Sequence, residues 1–260
     1  MNYKNYLFLI FTATYALTGF AKPVHPWIVE GSKLSYAAYF TNLKDGDSIT
    51  SPFVVKFGLS HWGLAPADID LPNTGHHHLL VNTDLPVAMD KPIEFSDAYR
   101  HFDKGQMETV LNLKPGKHRL RLLLADHKHI PRLAYSKQIT VNVTAQNADK
   151  LPASFSTEPN IQILGLTEGQ TTSNLIQVLF HASNYNIAHA NSKLKGTGHF
   201  VLTVESSAKR TIERFDFKEG QTDVWLNLPA GAASLKLELV DNATNTVLPI
   251  PAKTVNIISP

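Results

Sequence analysis

Histidine is the residue type in this sequence with the widest scope for chemistry, and it is unevenly distributed. The chain has 12 histidines among 260 residues, and most of them fall between His61 and His129. Neutral imidazole is the commonest metal ligand in proteins and suits zinc and copper. The candidate ligands are His76, His78, His101, His127 and His129, with His61, His77 and Asp126 in second rank.

An ordered set of short motifs in the first half recurs in the second half. The matched stretches are 74–81 with 197–204, 102–106 with 217–221, and 111–113 with 226–228. Most histidines do not recur, because the second copy has Phe200, Val201, Asn242 and Thr244 where the first has His77, His78, His127 and His129. The sequence therefore predicts one working copy and one degenerate copy that serves architecture or another contact.

Both copies are predicted to be built from strands. Short runs of alternating apolar residues are bounded by Pro, Gly, Asn and Asp, and no long segment has a helical period. The predicted fold class is all-β, with two tandem immunoglobulin-like β-sandwich domains after a signal peptide. The predicted segments are a signal peptide at 1–21, an N-terminal extension at 22–36 with a strand around 27–29, a His-rich repeat at 37–145, a linker at 146–158 and a degenerate repeat at 159–260.

A sandwich offers a way for distant histidines to meet. Because alternate side chains of a strand face the same way, His76 and His78 are expected on one face and His77 on the other. Several loops gather at one end of an immunoglobulin-like sandwich, so we expect seven of the eight histidines to converge there, with His118 at the opposite end. The expected ion is Cu(II) or Zn(II), assisted by a carboxylate such as Asp103 or Asp126. The alternative is that the histidines cap backbone groups or pack as partly buried rings.

The start of the chain predicts export. Lys4 precedes an apolar run at 7–17, and Gly19 and Ala21 supply the small residues that a signal peptidase requires. The run is shorter than the roughly 20 residues that span a bilayer, so we expect a periplasmic or secreted protein without stable membrane insertion after cleavage. The chain has no cysteine, which excludes disulfides and thiolate sites. Its 24 basic and 22 acidic residues give no electrostatic basis for binding nucleic acid.

The first repeat resembles a bacterial family described only as domain of unknown function 4399. The resemblance covers about residues 40–143 and rests on the stretches 42–47, 51–52, 65–66, 74–80, 101–106, 115–120 and 125–129. It implies domain limits and the importance of the histidine stretches, and it implies no activity. The second repeat keeps the frame and departs at most of the histidines.

These features favour an exported, non-enzymatic module that binds a divalent metal ion or small ligand. The alternative is a structural or interaction protein of the cell envelope that binds a protein or glycan partner, with Trp27, Trp62 and Tyr99 as stacking surfaces. An enzyme is disfavoured because no serine elbow, cysteine nucleophile or paired carboxylates are present. A metal-dependent hydrolase would need a base, and Glu94 and Glu108 are poorly placed for that role.

Overall fold

The protein is described here from a computed structural model, in which residues 25–29, 37–147 and 151–260 are described. The predicted signal peptide at 1–21 lies outside the described residues. The described residues form β-strands, with one short 3-10 helix at Ala190–Ser192, so the predicted all-β fold is confirmed. No segment among them is a helix with the length and hydrophobicity needed to cross a bilayer.

Among the described residues, eleven strands precede residue 147. They are β1 (Ile28–Val29), β2 (Ala38–Phe40), β3 (Ser48–Ser51), β4 (Phe53–Leu59), β5 (Gly63–Leu64), β6 (Thr74–Val81), β7 (Tyr99–Phe102), β8 (Glu108–Leu111), β9 (Gly116–Ala125), β10 (Pro131–Tyr135) and β11 (Ile139–Gln146). One sheet has the order β2-β4-β8, and the other has the order β3-β11-β9-β6-β5, with β7 paired to β6 and β10 paired to β9. The two sheets form the first sandwich.

Nine more strands lie within residues 151–260. They are β12 (Asn160–Leu164), β13 (Gln170–Thr171), β14 (Leu175–Ser183), β15 (Asn186–Ile187), β16 (Thr197–Ser206), β17 (Thr211–Asp216), β18 (Asp223–Asn227), β19 (Gly231–Asp241) and β20 (Lys253–Ser259). Their sheets, β12-β14-β18 and β13-β20-β19-β16-β15 with β17 on β16, repeat the order of the first sandwich. The predicted N-terminal strand is β1, and it pairs with β18 of the second sandwich. The domain limits at 37–145 and 159–260 stay a prediction, and the two strand sets lie on either side of the predicted linker.

Alternation along the strands builds the core. In β14, Ile176, Val178 and Phe180 are buried and alternate with less buried residues, as expected for strands with one face on a core. The end of the strand, at residues 181–183, is buried on both faces. Phe57 of β4 packs tilted on Phe102, and Phe180 packs in the same way on Phe217. The two sandwiches therefore use the same aromatic contacts, and their buried residues form one continuous cluster.

The outer face of one sheet in the first sandwich is covered as well. Every residue of β6 is buried, because residues 82–98, here called the cover segment, fold over its outward side. A second small cluster forms there from Leu80, Ile93, Leu123 and Ala125. The matching connection in the second sandwich is only the short turn at 207–210. The cover segment is thus a feature of the first copy, and it creates an interior on the outside of the sheet.

The two sandwiches contact each other through reciprocal pairs of interactions, in which a contact made by one copy is matched by the equivalent contact of the other. The Leu64 N–H donates to Gly220 O at 2.9 Å, and the Ile187 N–H donates to Gly105 O at 2.9 Å. The same symmetry pairs Ser60 with Asp223 and Ser183 with Glu108 through hydroxyl-to-carboxylate hydrogen bonds. Gly105 and Gly220 both have positive φ, and a Cβ on either would meet the backbone of the other sandwich at 2.0–2.3 Å. The glycines are therefore required where the two copies touch.

Candidate metal centre

Strand β6 supplies two of the candidate ligands. His76 and His78 point to the outer side of the sheet, with ring centroids 4.7 Å apart. His77 points into the core, where its ring lies 5.3 Å from that of Phe57. The predicted alternation of the three histidines is confirmed, since it follows from the pleat alone.

Two neighbouring elements supply the other members of the cluster. His101 of β7 lies directly across from His78 in the antiparallel register. His129 lies in the turn after β9 and has a φ of 61°, and its N–H donates to Asp126 O at 2.9 Å. The Asp126 carboxylate accepts from the backbone N–H groups of Lys128 and Ile130 at 2.8 and 2.9 Å. This turn folds back over the end of β9 and brings His129 above His76.

Four imidazole nitrogens converge in this arrangement. The His76, His78, His101 and His129 ligand atoms all lie within 4.8 Å of one another. His76 Nε2 and His129 Nδ1 are 3.1 Å apart, as are His78 Nε2 and His101 Nδ1, and the Nδ1 atoms of His101 and His129 are 3.2 Å apart. For comparison, two ligands on a tetrahedral Zn²⁺ with bonds of about 2.0–2.1 Å are about 3.3–3.4 Å apart. Three of the six nitrogen pairs therefore have nearly the spacing of two ligands on one metal ion, and the remaining pairs lie within 4.8 Å.

The cover segment holds and shields the cluster. The His101 Nε2 lies 3.3 Å from the Glu94 carbonyl oxygen, and the Ile93 N–H donates to His129 O at 2.9 Å. When His101 Nε2 donates to that carbonyl, Nδ1 is the unprotonated nitrogen, and it faces the other three ligands. This arrangement is the usual way in which a protein fixes the tautomer of a ligating histidine. Phe95 stacks on the His101 ring at a centroid distance of 3.7 Å.

Burial disfavours the protonated form of three of the four cluster histidines and of His77. Desolvation, with a smaller contribution from the neighbouring imidazoles, lowers the pKa of His76 to about 3. Desolvation also lowers the pKa of His78 and of His101, and it lowers the pKa of His77 to about 3. A neutral imidazole has a free lone pair on one nitrogen, so His76, His78 and His101 need not lose a proton to bind a cation at neutral pH.

A carboxylate completes the site. Asp103 follows β7, and its Oδ1 lies 3.5 Å from His76 Nε2, 3.8 Å from His101 Nδ1 and 4.0 Å from His129 Nδ1. Asp103 was one of two carboxylates that the sequence indicated. The other, Asp126, shapes the turn and pairs with Arg132 at 3.4 Å, so its carboxylate is engaged in holding His129 in place.

The remaining candidates lie elsewhere. His127 points away from the cluster, and its Nδ1 is 3.2 Å from Asp70 Oδ1. His61 lies in the turn after β4 with a φ of 65°, His77 is in the core, and His118 pairs with Asn82 at the other end of β6. The expectation that seven histidines converge on the rim of loops is therefore wrong in number and in place. Four of them meet on the outer face of the sheet, under the cover segment.

The second copy shows the same frame without the cluster. His199 matches His76, but its Nε2 lies 2.9 Å from Asp216 Oδ1, the position that matches His101. Val201 and Thr244 stand at the other two ligand positions. The Asp241 carboxylate accepts from Ala243 and Thr244 N–H groups just as Asp126 accepts from its own turn. The turn is thus part of the fold, and the four imidazoles are an addition to it.

Comparisons with known proteins agree with this duplicated frame. The sequence model of a family described as domain of unknown function (DUF4399) matches residues 55–144 and 178–258, which together make up more than half of the chain. The resemblance inferred for the first repeat is confirmed and extends to the second. No protein of curated function matches the sequence.

Solved structures show likeness in fold. Fibronectin(III)-like modules of CbhA from Clostridium thermocellum are 8% identical, with a TM-score of 0.27, and the match covers 85% of this chain and 93% of that one. Two fibronectin type III domains of chicken tenascin are 10% identical, with a TM-score of 0.26, over 84% of this chain and 98% of that one.

Proposed function

The chain belongs to the family described as domain of unknown function 4399, a description without an activity, and we propose from the site geometry that it is an exported, non-enzymatic module that binds one divalent metal ion, Cu(II) or Zn(II). The ligands are His76, His78, His101 and His129. The observation on which the proposal depends is the convergence of four imidazole nitrogens within 4.8 Å.

The cost of this cluster to folding supports a functional role. His76 and His78 are fully buried, and a buried polar group without a good partner costs about 1–3 kcal/mol. The second copy has Val201 at the His78 position, so the same sheet folds with an apolar residue there. Buried imidazoles at these positions lower the folding stability of the first copy. Metal binding would offset that loss of stability.

The donor set fits borderline divalent ions. Imidazole suits Zn(II) and Cu(II), and soft Cu(I) prefers the sulfur ligands that are not part of this set. Nitrogen separations of 3.1–3.2 Å lie between the roughly 3.3–3.4 Å of a tetrahedral site and the roughly 2.9 Å of a tetragonal one with bonds of similar length. Four protein ligands also fill a tetrahedral shell, whereas catalytic zinc sites keep one position for water or substrate. The donor set therefore favours binding over hydrolysis.

Titration of the mature, metal-free protein with Zn(II) and Cu(II) tests the proposal. Isothermal calorimetry and elemental analysis should give one ion per chain, and the His76→Ala/His78→Ala variant should lose it. His118→Ala is the matched control, because His118 lies at the other end of β6 and its loss should leave binding unchanged. Equal binding by the wild type and the double variant would refute the site, and absence of binding by all three would favour a structural role in the envelope.

A further inference from the structure

The four-imidazole cluster is not equally closed on all sides. The side chains of His76 and His101 are 0% and 2% exposed, and His78 is fully buried. His129 is 19% exposed and Asp103 is 38% exposed. Water therefore reaches the cluster at Asp103 and His129, and any ion must arrive from that side.

Asp103 is aimed at the cluster from this open side. Its Oδ1 lies 3.5–4.0 Å from ligand nitrogens of His76, His101 and His129. These three nitrogens therefore form the side of the cluster that faces Asp103. The atom itself is buried and has no hydrogen-bond partner among the described residues. The residue is fixed by the end of β7, because Asp103 O accepts from the Ala67 N–H at 2.8 Å. A partly exposed residue with a buried, unpaired carboxylate oxygen is a ready contact for a cation.

We propose that Asp103 is the residue that captures the metal ion from solvent and passes it to the four imidazoles, an inference that rests on the proposed metal function. An imidazole ring carries no negative charge in either protonation state, so the four rings exert no long-range attraction on a dication. Asp103 supplies the negative charge on the open side, since Asp126 pairs with Arg132. Charge of one sign lining a cleft raises the local concentration of counter-ions and their association rate by about 10- to 1,000-fold, and a single carboxylate at the mouth of the site is expected at the lower end of that range.

The number of donors favours capture over permanent ligation. Four imidazoles already fill a tetrahedral shell, so Asp103, whose Oδ1 lies 3.5–4.0 Å from three of the ligand nitrogens, would be a fifth donor. Asp103 binds the hydrated ion first, the imidazoles then replace its waters, and the carboxylate remains beside the bound ion as a counter-charge. In the second copy the matching residue is Lys218, whose charge would repel a cation at the same place.

Stopped-flow binding of Cu(II), followed by quenching of tryptophan fluorescence, tests this role. The association rate constant of Asp103→Asn should fall about 10-fold or more, and its dependence on ionic strength should weaken. Stoichiometry should stay at one, and the Cu(II) electron paramagnetic resonance spectrum should keep its nitrogen couplings. Asp70→Asn is the matched control, since Asp70 is a nearby exposed carboxylate paired with His127, and it should bind at the wild-type rate.

Three results would overturn the inference. An unchanged association rate in Asp103→Asn would remove the capture role. A changed Cu(II) spectrum with an unchanged association rate and faster release would make Asp103 a permanent ligand instead. Absence of binding by the wild-type protein would refute the metal function itself and this role with it. The stopped-flow signal of the wild-type protein distinguishes that outcome from the first two, because both of those require that the wild type binds.

Discussion

The buried histidines make the stability of the metal-free protein depend on pH, and His77→Phe measures that dependence directly. His76 and His77 have pKa values lowered to about 3, and the pKa of His78 is lowered as well. An unfolded chain has histidine pKa values near 6.5, so below that pH the unfolded state binds more protons than the folded state. Folding stability is therefore fully present above about pH 6.5 and is lost as the pH falls toward 3.

The size of the effect follows from linkage. Between pH 7 and pH 5, a histidine that titrates near 6.5 when unfolded and stays neutral when folded removes about 2 kcal/mol of stability. Three such residues remove about 6 kcal/mol, which is comparable to the total stability of about 5–15 kcal/mol typical of a folded protein. The wild-type protein in chelator should thus be close to unfolding at pH 5.

His77→Phe isolates one of the three contributions. The second copy has Phe200 at this position, in contact with Phe180, so the fold accepts the ring. His77 has no hydrogen-bond partner on either nitrogen within the described part of the chain, and the substitution therefore breaks no hydrogen bond there. The loss of stability between pH 7 and pH 5 should shrink by about 2 kcal/mol.

Urea unfolding, followed by tryptophan fluorescence at both pH values with a chelator present, measures this difference. Carboxylates and exposed histidines contribute equally to the wild type and the variant, so they cancel in the comparison. Identical pH dependence in the two proteins would show that His77 does not enter the core as a neutral ring.

Three further predictions concern the ligand set, the cover segment and the junction. His127→Ala should bind one metal ion with unchanged affinity in calorimetry, because His127 faces Asp70; a loss of binding would place it in the ligand set. Phe95→Ala should accelerate metal release to a chelator by roughly 2- to 10-fold, since the stack on His101 contributes about 0.5–1.5 kcal/mol; an unchanged release rate would contradict a shielding role. Gly105→Ala should lower the free energy of unfolding in urea by about 1–3 kcal/mol more than Gly46→Ala does. Both glycines have positive φ, but only a Cβ at Gly105 would overlap with Ile187 O. Equal losses of stability would mean that the backbone between the two sandwiches can shift to accommodate the Cβ.

Local periodicity accounts for the part of the site that the sequence predicted. Alternation fixes which side of a strand each residue faces, so His76 and His78 could be paired without knowledge of their surroundings. The internal repeat identified the strand frame in the same way, since matched motifs imply matched strands. Both predictions depend on residues that are close in sequence or on the comparison of one copy with the other.

The misplaced residues depend on contacts that alternation does not encode. His127 and His129 share a turn, but the capping of that turn by Asp126 directs only His129 toward the cluster. The cover segment has no periodic pattern, and its role arises from packing of Leu85, Met89 and Ile93 on the sheet. One signal was present in the sequence: the β6–β7 connection is far longer than the β16–β17 connection, which points to an addition on that side of the first copy.

The two copies together suggest how such a costly site is maintained. The first sandwich contains buried imidazoles that weaken it, whereas the matching strand of the second contains Phe200 and Val201. The junction joins both through reciprocal backbone hydrogen bonds and a shared core, so opening the first sandwich also disrupts contacts of the second. The second copy thereby supports the first through these contacts, and Phe200 and Val201 contribute because they replace two of the three buried imidazoles of the matching strand, of which only His199 is kept.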